Sequence, residues 1–128
     1  MQATVLDHAK LLLDFIFHFD TLTLNWRDSN RTKVEKMSKK MTEFIMQYEM
    51  HSIRSVPEFA SYLNHDALSP LTIVVGYAEL FRSVHVGLLD IQQLSVINEI
   101  CEMSRVLTEA VRMERDQMVE KRNALLAL

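Results

Sequence analysis

The 128-residue chain is 48% hydrophobic, with 14 basic and 17 acidic residues and a net charge of −3. It therefore has apolar side chains enough for a core and no basic excess of the kind that binds nucleic acid. No apolar run approaches the roughly 20 residues that span a bilayer, and Asp7, His8 and Lys10 interrupt any apolar core of a signal peptide. A cytoplasmic protein without membrane insertion is expected.

Only two glycines and two prolines break the sequence, against eight methionines, which predicts an all-α chain with short connections. From Ala3, the residues Val5, Ala9, Leu12, Ile16 and Phe19 recur at helical spacing, widened by Leu6, Leu13 and Phe17. Phe15, Phe19, Leu22 and Trp26 prolong the pattern, so the first helix is expected over about 3–26. The alternating threonines and leucines from Thr21 also suit a short extended segment. Residues Arg27 to Arg31 read as a polar turn. Thr32 and Glu35 then form a Thr-x-x-Glu capping box, opening a second helix over about 32–52 whose stripe is Val34, Met37, Met41, Phe44 and Tyr48. Lys33, Lys36, Lys39 and Lys40 read as its solvated face rather than an anion site. The two helices should form an antiparallel hairpin, residues 1–52.

Residues 53–128 should form a second hairpin, with helices over about 56–86 and 90–125. Ser55 caps the first, Glu58 completes another capping box, and Pro57 is tolerated in the opening turn. At about 100° per residue, Leu63, Ala67, Leu71, Val74, Ala78 and Phe81 share one arc, the seam. His65, Ser69, Thr72, Gly76, Glu79 and Ser83 collect opposite it as a polar stripe facing water. Pro70 lies inside this pattern, where it removes a backbone hydrogen bond and pushes on the carbonyl of Asp66. Because the seam holds its phase across Pro70, a continuous kinked helix is expected, a helix end near Leu68 being the alternative. Gly87 suits a C-cap and Asp90 the next N-cap. Along the last helix Ile97, Ile100, Met103, Leu107, Ala110, Val111 and Met118 mark the buried side, interrupted by Ser104 and Glu114. The single Cys101, on the apolar flank, should be buried and inert. His8, His18, His51 and His85 lack ligand-spaced partners, so no metal site is expected, and His51 and His85 read as helix-end residues.

The segment His65-Asp66-Ala67-Leu68-Ser69-Pro70-Leu71, with Phe59 six positions earlier and Gly76-Tyr77-Ala78-Glu79-Leu80 after it, resembles the H-box of sensor histidine kinases. That box opens the first helix of their dimerization and histidine-phosphotransfer (DHp) domain. The resemblance covers roughly residues 53–125 and leaves the first fifty outside. It implies a four-helix bundle made by homodimerization, since one hairpin alone cannot cover an apolar arc spanning nearly half of each helix.

A neutral imidazole is nucleophilic near neutral pH and can attack phosphorus. An adjacent carboxylate can fix its tautomer and offset the developing charge. The resemblance therefore implies His65 as phosphoacceptor and Asp66 as the group that orients and activates it. Ser69 falls where the family places a Thr or Asn that positions hydrolytic water, a phosphatase-type role. The implied partner is a response-regulator receiver domain, carrying its own Mg²⁺ and docking on the His65 stripe through Leu68, Thr72, Val75 and Gly76. No cofactor is expected on this chain. Two glycines cannot supply the glycine-rich boxes of an ATP-binding domain, so ATP would be handled by a separate kinase domain on another chain. Three readings follow: the DHp portion of a kinase phosphorylated in trans, a stand-alone phosphotransferase, or a non-catalytic dimeric helical adaptor.

Overall fold

The computed structural model describes residues 4–84 and 89–128. Among these are five helices and no strand: α1 (Val5–Leu22), α2 (Asp28–Ser52), α3 (Val56–His65), α4 (Leu68–Val84) and α5 (Ile91–Leu126). The stripes read from spacing are the core, except that Phe17, expected to widen the face of α1, lies 48% exposed on its solvent side. Val5, Ala9, Leu12, Ile16 and Phe19 of α1 and Val34, Met37, Met41, Phe44 and Tyr48 of α2 are all buried. So is every seam residue: Leu63, Ala67, Leu71, Val74, Ala78 and Phe81 are at most 1% exposed.

These residues form one continuous core rather than two. Helix α1 packs on α2 and α5, α2 also on α4, and α3 and α4 both on α5. With α3 and α4 following one another as a single rod, the chain closes a four-rod bundle by itself. Within this chain the apolar arc of α3 and α4 packs against α5 and, from residues 1–52, against α2.

Three boundaries differ from the sequence expectation. Helix α1 stops at Leu22, four residues short, because the Thr23 hydroxyl donates to the Phe19 carbonyl at 2.8 Å and the Trp26 amide closes a turn onto Thr23 at 2.9 Å. Trp26 still reaches the core, edge-on to Phe19 at 5.5 Å, so its spacing reported burial rather than helix. Helix α2 begins at Asp28, inside the expected polar turn, with no side-chain cap at Arg27. Arg31 anchors this first turn: its guanidinium pairs with the Asp20 carboxylate and donates to the Asp20 carbonyl at 3.2 Å and the Thr23 hydroxyl at 3.1 Å. Asp28 takes a left-handed φ of 50°, a conformation aspartate tolerates better than most residues. Thr32 is not the cap; its hydroxyl donates to the Asp28 carbonyl at 3.0 Å, and Glu35 lies 3.7 Å from Arg31. Ser55 does cap α3, accepting from the Glu58 amide at 3.4 Å, while the Glu58 carboxylate turns to Arg54 at 3.6 Å.

The third difference is the rod's break. The expected continuous helix is two, separated by a turn at Asp66 and Ala67. Both of their amides converge on the Tyr62 carbonyl, at 2.9 and 3.1 Å. Pro70 consequently stands in the first turn of α4, where its missing amide deletes no intrahelical bond. Pro70→Ala should therefore change stability by less than about 1 kcal/mol in chemical denaturation, whereas removing a proline from a helix interior would gain about 3 kcal/mol.

Helix α5 starts as read: Asp90 and Gln93 exchange backbone and side-chain hydrogen bonds at 2.7 and 3.1 Å. The Gln93 amide also donates to the Leu22 carbonyl at 2.9 Å, tying the start of α5 to the end of α1. The two polar interruptions are satisfied, Ser104 by the Cys101 carbonyl at 2.9 Å and Glu114 by the Tyr48 hydroxyl. Cys101 is 1% exposed, and burial pushes its thiol pKa up, as an inert core cysteine requires. The positions assigned to His85 and Gly87 lie outside the described residues.

Candidate functional site

His65 is the last residue of α3, and the chain turns immediately after it. Asn64, His65, Asp66 and Ser69 are all exposed. The break thus leaves the imidazole exposed at a helix end, with no side chain stacked or hydrogen-bonded against it among the described contacts. Below it the polar stripe is as expected: Thr72, Gly76 and Ser83 are exposed and Glu79 half-buried. The Thr72 and Ser83 hydroxyls donate back to the carbonyls of Leu68 and Glu79, each at 2.9 Å. Glu79 pairs with Arg105 across to α5 and with Arg82 at 3.7 Å. A Cβ placed on Gly76 would meet nothing within 4 Å, so the stripe is open to an approaching surface. Of the expected docking residues, Thr72 and Gly76 are exposed, while Leu68 and Val75 are half-buried, with Leu68 packed against the core.

Asp66 stands at the predicted place but not in the predicted contact. Its carboxylate makes no hydrogen bond with His65; the residue lines a groove of about 300 Å³ together with Lys40, Glu43, Phe44, Gln47, His51, Tyr62, Ser69 and Pro70. The other wall of this groove comes from α2, which the family resemblance does not cover. Lys40 pairs there with Glu43 at 3.3 Å. His51, at the end of α2 as expected, stacks on Tyr62 with ring centroids 4.4 Å apart. Burial, then the Asp66 charge, raises the Tyr62 phenol pKa well above its ordinary value, and burial with the Glu114 hydrogen bond does the same at Tyr48.

Sequence reasoning missed Tyr62 as a site residue. Its signal was available, since a tyrosine flanking the apolar seam must bury a hydroxyl that then needs a partner. The groove's α2 wall was not legible, because no local pattern reports which face of α2 meets the α3–α4 turn. Among the described residues no three His, Cys, Asp or Glu side chains gather in a way that could hold a metal ion. Compared with known proteins, the chain matches no protein-family model, no curated protein and no solved structure.

Proposed function

We propose that this chain is a histidine phosphotransfer protein of a two-component signalling system, carrying a phosphoryl group on His65 for exchange with a response-regulator aspartate. The observation that supports this most is the exposed imidazole at the corner between α3 and α4, inside a segment that resembles the H-box residue by residue. In-line transfer needs an unobstructed nucleophile and a partner surface that positions the acidic phosphoryl pocket against it. The receiver domain brings that pocket and its Mg²⁺, docks along Thr72, Val75 and Gly76 with the exposed edge of Leu68, and works in the cytoplasm. Asp66 orients the ring once its carboxylate swings from the groove to Nδ1, a side-chain rotation at an exposed turn. Ser69 holds the water of any reverse, phosphatase-type step. ATP enters only through a separate kinase domain.

The absence of a His65–Asp66 hydrogen bond favours the second reading, a non-catalytic adaptor derived from a histidine kinase. Incubation with a receiver domain charged by radiolabelled acetyl phosphate separates the two. A relay gains acid-labile, base-stable label as the receiver loses it. An adaptor stays unlabelled and keeps its effect on partners when His65 is replaced by glutamine.

A further inference from the structure

The outer side of the hairpin made by α1 and α2 carries large apolar side chains. Leu6, Lys10, Leu13 and Phe17 recur at helical spacing along one side of α1, and Phe17 is 48% exposed. On α2, Met46 and Met50 are 64% and 42% exposed, and Ile53, just past its end, is 86% exposed. Leu6, Met46, Met50 and Ile53 line one open groove. The hairpin meets α3, α4 and α5 through its buried stripes, and no described residue of those helices lines this groove. An uncovered apolar strip of this kind marks an interaction surface.

Its charges indicate what covers it. Lys10 and Glu49 stand side by side, one on each helix, 3.7 Å apart and 61% and 50% exposed. That pair and the Asp20–Arg31 pair show that α1 and α2 run antiparallel. At about 1.5 Å per residue, Leu13 and Met46, each three residues from the Lys10–Glu49 pair, therefore stand at one height. A two-fold axis parallel to the helices sets α1 of each copy on α2 of the other. Lys10 then faces Glu49 of the second copy, twice over, with apolar residues meeting on either side. This match of a face to itself is what an isologous interface requires. About 20 Å wide and about 20 Å long, the face lies at the small end of specific interfaces, which suits a reversible contact.

We propose that the chain forms a reversible homodimer through this face of α1 and α2. The interface uses none of the residues that resemble the kinase family and none of the His65 stripe, so it is independent of phosphotransfer.

Sedimentation equilibrium of the intact chain tests this, with a monomer–dimer equilibrium of Kd below about 100 µM expected. Met46→Lys combined with Ile53→Lys alters exposed positions outside the core. That variant should keep its helical circular dichroism and raise Kd at least about tenfold. Charge reversal then identifies the pairing. Lys10→Glu and Glu49→Lys should each weaken self-association about tenfold, because like charges then face each other across the interface. An equimolar mixture of these two variants restores opposite charges at both contacts and should associate like the parent. The proposal is overturned by a chain that stays monomeric up to about 500 µM, by a dimer that the paired lysine substitutions leave undisturbed, or by a mixture that associates no better than its components.

Discussion

Replacing His65 by glutamine is expected, on the proposed phosphotransfer reading, to reduce phosphoryl acceptance from a charged receiver to background while leaving the fold intact. The side chain is exposed at the end of α3 and contributes nothing to the core, so stability should stay within about 0.5 kcal/mol of the parent by thermal denaturation. Glutamine keeps polarity and approximate size but has no nucleophilic nitrogen. His51→Gln is the informative companion. It removes the ring stacked on Tyr62 and should lower Tm, while any transfer through His65 should persist, because His51 stands in the groove wall and not at the end of α3. Asp66→Asn should slow transfer by about 10- to 100-fold, the size of effect seen when a carboxylate that orients a metal-bound histidine is lost. Unaltered rates in that variant would assign Asp66 to the groove alone.

Phe81→Ala should destabilise the chain by about 3–5 kcal/mol and lower Tm by roughly 10–20 °C. Phe81 is fully buried on α4, with its ring 5.7 Å from Phe19 of α1 and 5.4 Å from Trp26 at the corner between α1 and α2. The three aromatics join the segment that resembles the kinase family to the hairpin that does not. Truncating the one on α4 leaves a cavity bounded by rigid rings that cannot collapse into it. Phe17→Ala on the solvent side of α1, where the ring is 48% exposed, should cost less than about 1 kcal/mol. Similar losses for the two variants would contradict closure of the bundle by residues 1–52.

The helical stripes were legible in the sequence because burial imposes a period of about 3.6 residues wherever a helix lies on a core. That is why Val34 through Tyr48 and Leu63 through Phe81 were read correctly to the residue. The ends were less legible. The stop at Leu22 depends on Thr23 bonding back to Phe19, and the early start of α2 depends on Arg31 reaching Asp20; both are contacts made across the turn. Spacing alone also does not distinguish a bent helix from two helices in phase, so Pro70 was placed in a helix interior when it stands in a first turn.

The exposed stripe from His65 to Ser83 was legible as a surface, since it is the complement of the seam. What covers the seam was not, because an apolar arc specifies only that something must lie on it. A second copy and the chain's own α1 and α2 satisfy that demand equally in sequence terms. The groove was hidden for the same reason, being formed only when Lys40, Gln47 and His51 of α2 meet Tyr62, Asp66 and Ser69.

The most direct test of the phosphotransfer reading is to locate the phosphate. After brief incubation with a phosphorylated receiver, the intact chain is digested at neutral or basic pH and the modified residue identified by mass spectrometry under conditions that preserve phosphoramidates. The account predicts a single phosphoryl group on His65. A chain that stays unmodified, or one whose label maps to another residue, would contradict it.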